Sequence, residues 1–428
     1  MKKRIFSFLM FTQILFLSQQ LISAPLRTEI IGQDTYNITS ILNSWTKPLT
    51  EKNLAISEGK KDIPLFKAFP NLTNKLSFIK LGEFPTPIEK LENLGKELGL
   101  QNLYLKDDGI SRNPFGGNKI RKLEFLLADA LDNNVKTIIT VGAAGSNHTL
   151  ATATCCEKLA LNSIVMLTPQ LNTKYLQRNL LLSHYHKAQI NYYEESDARD
   201  VDIEKFYDER SEKEKVPPYF IAAGGSTPLG VIGFINAVFE LKEQIEAKLI
   251  PEPDFIYVTL GSCGTAAGLI LGVKLAGLKS KIIPVRVSST AEEKLERLIE
   301  LFNETSKFLN DLDPDCPIIK FPEDVLINND FAGNEYAQIT QQAHDAIKIL
   351  DETEDIKLDG TYSGKAFSAL IDEVSKNKNE LRNKTVLFWD TFCAGDFSEI
   401  TNTIDYKKLP ENLHFYFEQN LQELDLGC

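Results

Sequence analysis

A chain of 428 residues with 59 acidic against 47 basic side chains carries a net charge of −12, which excludes a broad basic face for a nucleic-acid backbone. Its 43% hydrophobic and 25% charged residues are those of a globular protein able to bury a sizeable core, so disordered and fibrous classes are excluded too. Length alone fits one two-domain enzyme as well as two separate modules.

The first element in chain order is a targeting pattern. Met1, Lys2, Lys3 and Arg4 give a positive start, no charged residue follows until Arg27, and residues 5–21 are mostly apolar before the small pair Ser23 and Ala24. This predicts a signal peptide or membrane anchor over 1–24. The protein is then exported (periplasmic or secreted) or anchored, with an N-terminal membrane contact, and a cytoplasmic protein is the alternative. Six cysteines without disulfide or zinc spacing read as free thiols, which suits an oxidising compartment poorly. Residues 25–62 are polar and weakly periodic, an extension tied to the domain that follows.

From about residue 135 short β-branched runs alternate with helical patterns. Strands are predicted at 135–141, 163–167, 219–223, 255–260, 281–288 and 385–391, and helices at 147–159, 175–186, 229–249 and 266–278. Strands separated by such helices need parallel crossovers, so the fold class is α/β, with open, mostly parallel sheets and flanking helices. Ligands in such sheets sit beyond the carboxyl ends of the strands. Residues 197–215 are dense in both signs of charge and read as a solvated helix. His184 and His186 continue a helical pattern without companion ligands, so no metal site is assigned.

Three turns carry the chemistry. Gly261-Ser262-Cys263-Gly264-Thr265 follows a buried strand and opens a helix, offering N–H groups and two hydroxyls to an anion such as a monophosphate. A tight structural turn explains the same glycines equally well. Gly116-Gly117-Asn118-Lys119 leads into a helix, placing Lys119 where the helix dipole opposes its charge and lowers its pKa. That suits an amine that must be neutral to attack a carbonyl, although a lysine snorkelling into solvent is the common case. Gly145-Ser146-Asn147-His148 caps another helix start and can hold a carboxylate, with His148 a base or a hydrogen-bonding partner.

Together these turns resemble the 1-aminocyclopropane-1-carboxylate deaminase and D-cysteine desulfhydrase family, which has the two-domain tryptophan-synthase-β-like fold of fold type II pyridoxal phosphate (PLP) enzymes. The resemblance runs from about Phe84 to Ser398 and rests on the stretch from Asn113 through Lys119 to Leu127, on 145–148, on 224–230 and on 261–265. It implies that Lys119, beside Asn118, carries pyridoxal 5'-phosphate, and that Gly261, Ser262, Cys263, Gly264 and Thr265 hold its phosphate. Ser146, Asn147 and His148 then meet the substrate carboxylate, while Tyr336 and Tyr362 flank the cofactor or substrate. It further implies a large domain of 63–121 plus 231–428, a small domain of 122–230, and a homodimer.

Two departures bear on the reaction. Cys263 replaces a glycine of the phosphate loop, and Trp389-Asp390-Thr391-Phe392-Cys393-Ala394-Gly395 replaces a histidine-threonine-glycine-glycine pattern. In the family's deaminases a glutamate follows the second tyrosine, but here Ser363 does, and Thr391 is the other hydroxyl expected near the pyridine ring. Neither is an anion. The expectation is therefore β-elimination from a small amino acid, D-cysteine desulfhydrase-like, releasing ammonia and a keto acid. Aminocyclopropane carboxylate deamination, β-replacement as in cysteine synthesis, and a PLP-binding protein of reduced turnover are the alternatives.

Overall fold

A computed structural model of the chain describes residues 60–425. Residues 1–24, where a signal peptide or membrane anchor is expected, and nearly all of the 25–62 extension lie outside the described residues, as does Cys428. Within them, six-residue runs such as Phe255–Leu260 and Thr385–Asp390 form strands buried on both faces, which is why they read as continuous apolar stretches. Nine strands result: β1 (Ile88–Lys90), β2 (Asn102–Asp107), β3 (Thr137–Ala143), β4 (Asn162–Thr168), β5 (Gln189–Tyr192), β6 (Tyr219–Ile221), β7 (Phe255–Leu260), β8 (Lys281–Arg286) and β9 (Thr385–Asp390). The helices of twelve or more residues are α1 (Lys119–Asp132), α2 (Asn147–Lys158), α3 (Lys174–Tyr185), α4 (Ser196–Glu214), α5 (Pro228–Glu246), α6 (Gly264–Ala276), α7 (Ala291–Leu312), α8 (Gln341–Glu354) and α9 (Ser363–Lys376).

The strands form two sheets, ordered β1-β2-β9-β7-β8 and β5-β4-β3-β6. Only the β1–β2 pair is antiparallel. The second sheet draws all its strands from 137–221, inside the segment 122–230, and the first sheet draws all of its strands from outside that segment. Helix α4 buries only Ile203 fully, as its charge density requires. His186 caps the end of α3 and meets Glu157 at 2.7 Å.

Helix α1 runs buried against α5 and α2, and its polar residues are internal. Arg121 lies between Asp108 and Glu240, each 2.8 Å away, and Lys106 reaches Glu240 at 2.7 Å. Two cations thus balance two carboxylates. Burial alone would raise the Glu240 pKa, but Arg121 and Lys106 outweigh it and hold it at about 2. Phe84 stacks 4.2 Å from the Arg121 guanidinium, and the Trp389 indole donates to Asp108 at 2.9 Å. This network fixes the start of α1 against β2 and α5, two residues from Lys119.

Candidate active site

The turn before α1 is pinned by its own backbone. Gly117 donates to the Asp108 carbonyl at 2.8 Å and Asn118 to that of Thr391 at 3.2 Å. Gly117 sits at φ 92°, where a side chain would be strained. Lys119 follows as the first residue of α1, its Nζ donating to Asn118 Oδ1 at 2.9 Å, while Asn118 Nδ2 donates to Thr265 Oγ1 at 3.0 Å. One asparagine therefore joins the lysine turn to the 261–265 loop. The Lys119 pKa is lowered to about 8, chiefly by burial, with Asp359 opposing. The direction matches the sequence argument, but burial takes the place of the helix dipole as its cause.

The 261–265 loop closes off β7 and opens α6. Cys263 adopts φ 68°, the left-handed conformation that a glycine would take without strain. A Cβ on Gly264 would stand 2.5 Å from Ser226 Oγ and 2.7 Å from Lys122 Nζ. The 224–230 turn thus forms the second wall of the cradle: Ser226 and Ser262 share a hydrogen bond of 2.8 Å, and Lys122 Nζ donates to the Gly224 carbonyl at 3.0 Å and to Ser226 Oγ at 3.2 Å. Lys122 is fully buried and makes no salt bridge among the described residues. Burial, with Lys119 adding repulsion, pushes its pKa far below the usual range. Lys122 is not foreseen from the sequence, although its position one turn after Lys119 on the same helix face is a signal for it.

The helix start at 146–148 faces the loop across the cleft. Ser146 Oγ accepts from the N–H groups of His148 and Thr149 at 3.2 and 3.3 Å. Asn179 Nδ2 donates to Asn147 Oδ1 at 2.8 Å, which orients the Asn147 amide and leaves its own N–H groups as donors. Thr140 spends its one hydroxyl hydrogen on the Ile221 carbonyl at 2.9 Å, so it accepts from His148 Nε2, also at 2.9 Å. The His148 ring is therefore neutral, with Nδ1 buried and unpartnered, and burial holds its pKa well below the ordinary value.

Tyr336 and Tyr362 are hydrogen-bonded through their hydroxyls, their rings 6.1 Å apart edge to face. Burial raises both phenols, Tyr336 to about 12, so both stay protonated near neutral pH. Asp359 beside them, absent from the sequence reading, accepts from the N–H groups of Thr361, Tyr362 and Ser363 at 3.0, 2.9 and 2.9 Å and from Ser363 Oγ at 2.7 Å.

These groups line one cleft of about 440 Å³ at the carboxyl ends of strands from both sheets. Asn118, Lys119, Ser146, Asn147, His148, Gly261, Ser262, Cys263, Thr265, Tyr336, Tyr362 and Thr391 all reach it. Ser363 does not: as first residue of α9 it is fully buried and its hydroxyl is bound to Asp359, which corrects the expectation of a cofactor contact. Gly264 lies behind the loop surface, where its missing side chain makes room for Lys122. Asp359, Lys294, Thr259, Ser288 and Phe392 join the lining unforeseen.

A partly buried lysine with a lowered pKa, a glycine and hydroxyl cradle, and a buried lysine lacking a carboxylate partner together suit a phosphorylated aldehyde. Residues 79–391 match the family model described as "Pyridoxal-phosphate dependent enzyme". A protein of Pyrococcus horikoshii named "Putative 1-aminocyclopropane-1-carboxylate deaminase" is 33% identical over 329 residues, 76% of this chain and 95% of that protein. The Pyrococcus abyssi protein of the same name is 34% identical over 315 residues, 73% of this chain and 89% of its own length. A crystal structure described as an ACC deaminase homologue superposes with a TM-score of 0.66 at 30% identity, covering 79% of this chain and 99% of that one. Threonine deaminase isoform 2 of Solanum lycopersicum, at 16% identity and TM-score 0.52 over 83% of this chain and 95% of its own, shares the fold. The chain thus belongs to the pyridoxal-phosphate dependent enzymes of fold type II, and its cofactor is pyridoxal 5'-phosphate.

Proposed function

We propose that this enzyme is a lyase that eliminates a β-substituent from a small amino acid, D-cysteine or a β-substituted alanine, to release ammonia and a keto acid. The observation that carries the reading is the state of the carboxylate beside Tyr362. Asp359 takes four hydrogen bonds from its own loop, and Ser363 stands where a glutamate would follow the tyrosine. Thr391 lines the cleft and is the hydroxyl that we assign to the cofactor's ring nitrogen. A hydroxyl partner leaves the ring a weak electron sink, which suits a good leaving group better than the opening of a cyclopropane.

Bound at Lys119, the cofactor supplies the electron sink that lets the substrate α-carbon lose a proton. The protein's residues supply the rest. Asn147 and the N–H groups of the 146–148 helix start hold the substrate carboxylate. The Lys119 amine, neutral above about pH 8, receives the α-proton. The protonated phenol pair is the hydrogen donor available to the departing group. For cysteine the balance is amino acid plus water giving pyruvate, ammonia and hydrogen sulfide.

The relatives' names favour aminocyclopropane carboxylate as the competing substrate. Turnover of D-cysteine, β-chloro-D-alanine and aminocyclopropane carboxylate by the purified enzyme separates the two. Keto acid from the first two with at most traces from the third is expected, and robust ring opening without β-elimination would overturn the proposal.

A further inference from the structure

We infer that Lys294 is a second phosphate-binding lysine of this site, supplied by α7 across the 261–265 loop from Lys122; the inference rests on the cofactor reading above. The start of α7 is fixed by a reciprocal cap, Thr290 Oγ1 accepting from Glu293 N at 3.2 Å and Glu293 Oε2 accepting from Thr290 N at 3.0 Å. Lys294 follows in the first turn, where a cation opposes the helix dipole. It nonetheless turns towards the cleft and lines it. Its Nζ donates to the Gly261 carbonyl at 2.6 Å, and its own carbonyl lies 3.7 Å from Cys263 Sγ, so it touches the loop at both ends of the Gly261-Ser262-Cys263 segment.

What it lacks is equally informative. Acidic Glu292, Glu293 and Glu296 surround it in sequence, and Arg297 one turn on takes Glu300 at 2.5 Å, yet Lys294 makes no salt bridge among the described residues. One of its three hydrogens is on Gly261, which leaves two to donate. Lys122 approaches the other side of the same loop, buried and equally without a carboxylate. Held protonated by the bound ligand, two such lysines match the charge of a phosphate monoester, about −1.5 to −2 at neutral pH. Lys122 lies behind the loop and Lys294 lines the cleft, so the two would meet the phosphate from opposite sides.

The test compares pyridoxal phosphate with pyridoxal, which lacks the phosphate, in titrations of the full chain stripped of cofactor. Lys294→Met should weaken pyridoxal phosphate binding by roughly 10- to 100-fold, the usual worth of a charge-assisted hydrogen bond, while leaving pyridoxal affinity unchanged. Lys294→Arg should recover most of the loss. Inorganic phosphate should compete with the cofactor less well in the methionine variant than in the unaltered chain. Unchanged pyridoxal phosphate affinity in Lys294→Met, or an equal loss for both ligands, would mean that the side chain only braces the Gly261 carbonyl. An unaltered chain that binds the two ligands equally would refute the cofactor reading itself, and Lys294 with it.

Discussion

At one side of the cleft Lys294 lines the surface and Lys122 lies buried behind the 261–265 loop, neither with a carboxylate partner among the described residues, whereas at another Asp359 spends its oxygens on three backbone N–H groups and one hydroxyl of its own loop. Both walls hold charge out of water, and they solve the cost differently. A buried ion is tolerated when it is paired or when a ligand will pair it. The lysine wall is left for a ligand to complete, while the Asp359 wall is complete as folded and serves to hold Tyr362 in place. Arg121, two residues from Lys119, follows the second pattern, sharing Asp108 and Glu240 with Lys106. Along one turn of α1 the chain thus places an ion-paired arginine at 121 and, at 122, a lysine with no carboxylate partner among the described residues.

Lys122→Met breaks this comparison most severely. It should weaken pyridoxal phosphate binding by roughly 100-fold, since a buried lysine donating to the phosphate is lost. The cofactor-free chain should melt at a higher temperature, because methionine fills the same space without a polar amine to desolvate. Calorimetry beside a cofactor titration reads both effects. A lower melting temperature in the stripped variant would show that Lys122 is already paid for within the fold.

Asp359→Asn sharpens the other side with a smaller effect. Asparagine offers one acceptor oxygen where the carboxylate has two, so some of the four donors lose their partner, at a cost of about 1–3 kcal/mol in stability. Turnover should fall as Tyr362 loosens, and cofactor affinity should change little. A loss of cofactor binding on the scale of Lys122→Met would place Asp359 among the cofactor's own contacts instead.

The sequence exposed the parts of this molecule that depend on local pattern. Strand β7 lies at the residues its β-branched run predicts, and α2, α3, α5 and α6 begin within two residues of their expected positions, since each starts at a capped or glycine-bearing turn. Strands β1, β2 and β5 were not read. β1 has three residues, β5 has four, and β2 ends in Lys106 and Asp107, the burial of Lys106 making sense only once Glu240 and Gln244, far along the chain, are seen to receive it. The same holds in the site. Lys119 and the three glycine turns announce themselves locally, but Asp359 and Lys294 become site residues only through packing that joins distant segments. Ser363 shows the reverse failure, because counting from Tyr362 placed in the cleft a hydroxyl that the N-terminus of α9 turns inward onto Asp359.

The central claim, that Lys119 carries the cofactor, is tested most directly by reducing the cofactor-loaded full chain with borohydride and mapping the labelled peptide. The Lys119 pKa of about 8 lies below the ordinary lysine value, so the reactive neutral amine becomes available at lower pH than in a solvated lysine. The label should fall on Lys119 alone, and the rate at which the cofactor-free chain takes up pyridoxal phosphate should rise from pH 6 through about 8 and then level off. A label on Lys122, Lys294 or any other lysine, or a rate still climbing steeply towards pH 10, would contradict the account.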